Sequence, residues 1–340
     1  MKALLLSITA GQGHNATANA VAACFESMGV ECRTVDTYEY ASPLLKEKGY
    51  LVSTAYIPKV WGRVYRFSNR KIKAASTFSA TNLLNQILTH ELADYIQDYA
   101  PDIIVCTHPF AAAIVDVMKR KYNIQAVTAG IITDFTVHPY WEETSNIDYY
   151  ITASEYMAPQ LVRKNLDPKK MLPFGIPIHP KFSVKQDKKE MRRKLNLDED
   201  KLTILIMSGS MGFGKIDRSI QKLDELDLDF QALVVCGKNR QMLEKILDMD
   251  LKKDFRIFGY VNNVDEMMDA SDCIVTKPGG ITSSEALAKE LPMVMVNPIP
   301  GQEELNVEFL LNNQLAMYAT KTYPLDEAIL TLLQGEYHLE

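Results

Sequence analysis

The 340-residue sequence predicts an α/β protein of two doubly wound halves, each a parallel sheet covered by helices. Three features lead there. At roughly 100–200 residues per domain, the chain has room for two cores. Short apolar runs alternate with helix-length segments along the whole chain, which is the pattern of βαβ units. Midway, Leu172-Pro173-Phe174-Gly175-Ile176-Pro177-Ile178-His179-Pro180 is dense in Pro and Gly, and the pattern restarts after it.

In the first half, residues 2–8 read as a buried strand and 9–14 as a glycine loop. Residues 15–28 read as a helix with Ala16, Ala20, Ala23 and Phe25 available for packing. A strand at 30–36 ends at Asp36. A helix near 81–99, a strand at 102–106 and a helix opened by His108-Pro109 follow. Next come a strand at 124–132, the loop Asp134-Phe135-Thr136-Val137-His138-Pro139-Tyr140-Trp141, a strand at 148–152 and a helix at 154–165. The second half repeats the scheme with strands at 202–207, 230–236, 255–258, 272–276 and 293–296, each ending in a loop rich in Gly or Pro. Two such halves joined by a hinge predict a ligand cleft facing the carboxyl ends of both sheets.

Composition narrows the class. With 47% hydrophobic and 24% charged residues the chain is of ordinary globular type, and its net charge of −6 argues against nucleic-acid binding. The apolar run at Leu4–Ile8 is too short for a signal peptide, and no stretch reaches the roughly 20 apolar residues of a membrane span. Cys24, Cys32, Cys106, Cys236 and Cys273 have no metal-ligand spacing and read as buried thiols in a reducing cytoplasm. Charge is unevenly spread: from Lys48 to His90 there is no acidic residue and there are seven basic ones. Aromatics interleave with them, and Trp61, Arg63, Tyr65, Arg66, Arg70 and Lys71 form the densest part. Such a segment suits an anionic lipid surface, and it equally fits a solvated helical face.

Several stretches can carry chemistry. Gly11-x-Gly13-x-x-Ala16, with Asp36 about 20 residues on, imitates a dinucleotide fingerprint and reads as a decoy; it leaves a dehydrogenase as a minor alternative that an NADH titration would settle. Gly209-Ser210-Met211-Gly212-Phe213-Gly214-Lys215 has P-loop spacing, but Ile216 stands where Mg²⁺ needs a hydroxyl, so an NTPase is discarded. Its backbone N–H groups remain suited to a diphosphate, as do those of Lys277-Pro278-Gly279-Gly280 ahead of Thr282 and Glu285. There Thr282, Ser283, Ser284 and Glu285 also fit a capping box at a helix start. His14 is the candidate base, being a group that titrates near neutrality in a glycine loop. Asp134 can orient it or act as the base itself. Gln302 and Glu303 suit sugar hydroxyls, or simply complement a helix dipole. His138 and Trp141 read as packing and loop structure.

Taken in order, five pieces resemble one family. They are Gly11-Gln12-Gly13-His14; Thr133-Asp134-Phe135 with His138 and Trp141; Val235-Cys236-Gly237-Lys238-Asn239; Thr276-Lys277-Pro278-Gly279-Gly280 with Glu285; and Pro300-Gly301-Gln302-Glu303. The chain is similar to the processive diacylglycerol glucosyltransferases and monogalactosyldiacylglycerol synthases. That resemblance implies a GT-B fold and inverting transfer from a UDP-sugar to a lipid hydroxyl, with no metal and no cofactor. It implies an acceptor and membrane-docking domain at 1–172, a hinge at 173–186 and a UDP-sugar domain at 187–340. His14 would be the acceptor-side base, with Asp134 beside it. Glu285 would hold the ribose, Gln302 and Glu303 the donor sugar, and Val261 the uracil through its backbone. Gly13, Ser210, Met211, Gly212, Gly237, Asn239, Pro278, Gly279, Gly280 and Thr282 would complete the donor site. The basic window would meet the membrane or the acceptor. Gln12 and Ser210-Met211 depart from the family's richer glycine content. Only a few residues follow the helix near 325–334, where such chains commonly cross back to the first domain, so that helix is short or the chain ends early.

The resulting expectation is a cytoplasmic enzyme, peripherally bound to the inner face of the cell membrane, that moves glucose or galactose onto diacylglycerol. The rival readings are an N-acetylglucosaminyltransferase on a lipid-linked cell-wall precursor, a UDP-N-acetylglucosamine 2-epimerase type of isomerase, and a non-catalytic UDP-sugar-sensing membrane protein.

Overall fold

The computed structural model describes residues 1–9, 12–37, 92–122, 124–207, 209 and 216–334. It divides into two compact units: Met1–Pro180 with Pro300–Gln302, and Lys181–Ile299 with Glu303–Glu340.

The first unit is an all-parallel sheet of β1 (Lys2–Ser7), β2 (Glu31–Asp36), β3 (Ile103–Cys106), β4 (Val127–Ile131), β5 (Tyr149–Ile151) and β6 (Met171–Leu172), in the order β2-β1-β3-β4-β5-β6. Leu4, Leu5 and Leu6 are all fully buried, as a central parallel strand covered on both faces requires. The pleat divides them. Leu4 and Leu6 join Ile104, Cys106, Ile114, Met118 and Tyr150 in one core, whereas Leu5 joins Val105, Ala129 and Ile131 against Val21 and Phe25. The helix α1 (Gln12–Ser27) therefore covers one face; α2 (residues 92–99) and α3 (Pro109–Tyr122) cover the other.

Helix α1 begins three residues earlier than expected, which moves His14 from a loop into a first helical turn. It stops at Gly29, whose φ of +72° supports a Schellman closure: Val30 N–H donates to Phe25 O at 2.9 Å and Gly29 N–H to Glu26 O at 3.0 Å. The single helix expected over 154–165 is instead a 3₁₀ turn, Glu155–Met157, followed by α4 (Ala158–Arg163). Pro159 explains the break, because a proline fits only the first turn of a helix. The cysteines also need correction. Cys106, Cys236 and Cys273 are buried, but Cys32 lies half-buried on the edge strand β2 and Cys24 is exposed on α1; all five are free thiols.

The second unit contains α5 (Lys188–Lys194), β7 (Leu202–Met207), α6 (Ile216–Asp224), β8 (Phe230–Val235), α7 (Arg240–Leu247), β9 (Asp254–Phe258), α8 (Val264–Ala270), β10 (Cys273–Thr276), α9 (Gly280–Ala288), β11 (Met293–Met295), α10 (Gln302–Asn312), β12 (Met317–Tyr318) and α11 (Leu325–Gln334). Its parallel strands run β9-β8-β7-β10-β11-β12, a doubly wound order whose direction reverses between β7 and β10. Ile204, Ile206, Ala232, Val234 and Val275 meet Ile220, Leu223, Ala328 and Ile329 in the core beneath α6 and α11.

Candidate active site

Open α/β sheets bind ligands beyond the carboxyl ends of the strands where the order reverses. In the first unit that point lies between β1 and β3. The chain leaving β1 enters α1 with His14 in the first turn, and Thr107-His108 directly follows β3. His14 Nδ1 is 2.7 Å from the Thr107 carbonyl and 3.2 Å from Thr133 Oγ1. A carbonyl oxygen only accepts, so Nδ1 carries the proton and Nε2 keeps the lone pair. Burial pulls the His14 pKa below 6.5, against the opposing hydrogen bond to Thr107, which favours the neutral imidazole. The first unit thus presents a neutral histidine of fixed tautomer with a basic Nε2.

The surrounding loop is tied down by polar side chains. Ser7 Oγ donates to Asn15 Oδ1 at 2.5 Å, and Asn15 Nδ2 donates to Thr9 Oγ1 at 3.0 Å. Asp36 accepts from Thr9 N–H and Thr9 Oγ1, at 2.8 and 2.5 Å. The acid of the apparent dinucleotide fingerprint therefore closes the β1 loop. Asp134 is half-buried just beyond β4. The contact to His14 shown from this segment is made by Thr133, one residue earlier. His138 caps the 3₁₀ turn Pro139–Glu143 by accepting from Tyr140 N–H, and its pKa is lowered to about 4, mainly by burial. Trp141 is buried against Gly130. Both are packing and loop residues, as expected.

In the second unit the reversal lies between β7 and β10, and Lys277-Pro278-Gly279 leads from β10 into α9. The capping-box reading fails here. Helix α9 starts at Gly280, Gly279 is its N-cap without a side-chain bond, and Glu285 sits too deep to reach back. The first-turn amides of Gly280 and Thr282 consequently remain available to an anion. The approach loop is pinned from below: fully buried Asn306 donates through Nδ2 to Pro278 O at 3.0 Å. Lys277 Nζ pairs with Glu303 Oε1 at 2.8 Å, and Ile299 N–H donates to Glu303 Oε2 at 2.6 Å. Glu303 thus stands already engaged, its carboxylate shared between a lysine and a backbone amide.

Glu285 is half-buried on α9, and its carboxyl pKa is raised to about 8. Burial causes the rise; Asp265 adds to it, and Lys181, which bonds Asp265 at 2.7 Å, opposes it. The other expected donor residues share this edge of the sheet. Gly237, with φ of +59°, and Asn239, which caps α7 by accepting from Met242 N–H, follow β8. Val261 follows β9. Gln302 opens α10 and clusters with the first unit, where its Nε2 donates to Thr136 O and Oγ1 at 3.2 and 2.8 Å. Gly13 lies in the first turn of α1. Ser210, Met211 and Gly212 lie outside the described residues, as does the basic window with Trp61, Arg63, Tyr65, Arg66, Arg70 and Lys71. Among the described residues no cluster of His, Cys, Asp or Glu is arranged to hold a metal, and no helix is long and apolar enough to cross a membrane.

Thr107, Thr133 and Asn306 escaped the sequence reading. Thr133 had a signal, since it belongs to the Thr133-Asp134-Phe135 motif. Asn306 shows only as a polar residue on the inward face of α10, and Thr107 acts through a backbone carbonyl that any residue supplies.

Two doubly wound parallel sheets, each with a reversal in its strand order, are the architecture of the GT-B fold. The fold superposes on MurG of Acinetobacter baumannii with a TM-score of 0.63 at 15% identity, covering 99% of this chain and 91% of that one. Residues 14–178 match the monogalactosyldiacylglycerol (MGDG) synthase family, and 187–339 match glycosyl transferases group 1. The chain is 31% identical to the processive diacylglycerol beta-glucosyltransferase of Bacillus pumilus (strain SAFR-032), over 100% of this chain and 88% of that protein. It is 28% identical to the chloroplastic monogalactosyldiacylglycerol synthase of Spinacia oleracea, over 93% of this chain and 63% of that one. The chain belongs to this family of glycosyltransferases.

Proposed function

We propose that the enzyme transfers a hexose from a UDP-sugar to the primary hydroxyl of diacylglycerol, with inversion, at the inner surface of the cell membrane. His14 carries this reading. With Nδ1–H held by Thr107 O, the lone pair of Nε2 is free to take the proton of the acceptor hydroxyl as its oxygen attacks the anomeric carbon. The bond from that carbon to the diphosphate breaks in the same step. Negative charge then grows on the UDP oxygens, and the uncapped amides at the start of α9 receive it. Glu285 accepts the ribose hydroxyls, Glu303 and Gln302 hold the sugar, and the backbone around Val261 takes the uracil. Asp134 supports the acceptor side. The relatives named for diacylglycerol support the acceptor, and the basic, aromatic window at 48–78 supports a peripheral membrane contact.

The test offers UDP-glucose and UDP-galactose separately to the purified chain with diacylglycerol liposomes and reads glycolipid by thin-layer chromatography. Glycolipid from one donor is the expected result. Donor bound but not transferred with any liposome would point to a sensor, and donor epimerised without acceptor would point to an isomerase; either overturns the reading.

A further inference from the structure

His108, opening α3 beside His14, has no role in the chemistry above. Its Nδ1 accepts from Phe110 N–H at 3.1 Å, so the single proton of its neutral ring is on Nε2. Burial holds the ring neutral, with His14 and His138 adding to the effect. The rings of His14 and His108 meet edge to face with centroids 4.5 Å apart. The two histidines therefore hold opposite tautomers side by side: His14 offers a lone pair at Nε2 and His108 offers an N–H at Nε2. Among the described residues nothing accepts a hydrogen bond from His108 Nε2. Capping α3 alone does not call for this arrangement, because a cap needs an acceptor and Asp supplies one without a second, donating end.

We propose that His108 is a positioning residue that selects acceptors carrying two oxygens on adjacent carbons: His14 Nε2 takes the proton of the attacking hydroxyl while His108 Nε2–H donates to the neighbouring oxygen. Diacylglycerol has this pair, with its primary hydroxyl next to an ester oxygen. A straight-chain alcohol does not. The inference rests on the transfer reading above. No bond is made or broken at His108; its hydrogen bond orients the nucleophile, which is where a small misplacement costs most.

The experiment compares kcat/KM for diacylglycerol and for a straight-chain primary alcohol of similar length, both in the same detergent micelles. It uses wild type, His108→Asn and His108→Gln, with thermal melts of all three. Asn keeps the acceptor for Phe110 N–H but loses the reach of Nε2–H, whereas Gln carries an amide donor further out. In His108→Asn the preference for diacylglycerol over the alcohol falls by roughly 10- to 100-fold, the loss of one well-placed hydrogen bond. In His108→Gln part of it returns. If both acceptors lose equally in His108→Asn, or neither changes, the selecting role is overturned while the transfer reading stands. If the wild type glycosylates neither acceptor, the transfer reading fails and this inference falls with it.

Discussion

Replacing Glu285 by Gln separates what this residue does for stability from what it does for the donor. Its carboxyl titrates at about 8 in the folded protein against an ordinary 4.5, because burial disfavours the charge. Between those values the folded state holds one proton more than the unfolded state, so stability falls as pH rises, by ~1.4 kcal/mol per unit. From pH 5 to pH 8 that sums to ~4 kcal/mol as a ceiling. Partial exposure of the side chain reduces it to roughly half. Glutamine has no such titration. At ~2–4 °C per kcal/mol for a unit of this size, the melting temperature of Glu285→Gln relative to wild type rises by about 4–8 °C between pH 5 and pH 8. Taking the difference between the two proteins removes every other titrating group from the comparison. A difference that stays flat with pH refutes the buried, protonated carboxyl.

The same reasoning ties proton release to donor binding. A carboxyl that accepts a ribose hydroxyl at each of its two oxygens does so as the carboxylate, so on this reading UDP binding below pH 8 expels the Glu285 proton. Calorimetry in buffers of different ionisation enthalpy then reads close to one proton released for wild type and none for Glu285→Gln, whose affinity for UDP is roughly tenfold weaker, the loss of a charge-assisted hydrogen bond. Equal proton release in both proteins removes Glu285 from the ribose.

His14→Ala abolishes glycolipid formation by at least 10²-fold while UDP binding is unchanged, which steady-state kinetics beside a calorimetric titration will check. In wild type, the acid limb of kcat/KM falls below 6.5, because burial lowers the His14 pKa and the base stays unprotonated into mild acid; a limb above 6.5 contradicts that environment. Gly130→Ala places a Cβ 2.6 Å from Trp141 Cζ3 inside the first unit, and overpacking of that kind costs about 1–3 kcal/mol in denaturant unfolding. Lys289 and Asp269 form a buried ion pair at 2.5 Å, and Lys289 also bonds Val184 O. Lys289→Met strands the aspartate at a cost of about 3–5 kcal/mol, whereas Lys289→Met with Asp269→Leu recovers most of it.

What could be read from the sequence depended on whether the feature lives in the backbone or in the register. The turn after β10 was legible because Pro278 fixes one φ and the two glycines after it carry no side chain over the backbone, and a glycine N-cap has no side chain to bond the first-turn amides. The order β9-β8-β7-β10-β11-β12 was legible only as a class, since alternating apolar runs announce a parallel sheet but do not number its strands. The helix starts at Gln12 and Gly280 were misplaced, by three residues and by about two. Both have a glycine in the first turn, Gly13 and Gly280, which composition rules count as loop but which a first turn accepts. The partners of His14 were the least legible. Thr107 reaches it from just beyond β3, 93 residues away, and Thr133 from just beyond β4, 119 residues away; the motif marks Thr133 as a member without giving its duty, and nothing local marks the Thr107 carbonyl.

The buried hydroxyls point to the same edge independently of any motif. Among the described residues, Thr17, Thr37, Thr107, Ser154, Thr276 and Ser283 have buried hydroxyl oxygens with no hydrogen-bond partner in the protein. Such groups cost stability and are rare in folded chains. Here Thr37, Thr107 and Ser154 stand just beyond β2, β3 and β5, Thr276 is the last residue of β10, and Thr17 and Ser283 lie on the helices that leave β1 and β10. None lies at the amino end of a strand. Random imperfections of packing would fall on both edges of each sheet. The one-sided distribution fits the expectation that local rules are broken mainly at functional sites. In the first unit Thr107 combines the two roles, its carbonyl fixing the tautomer of His14 while its hydroxyl remains uncommitted.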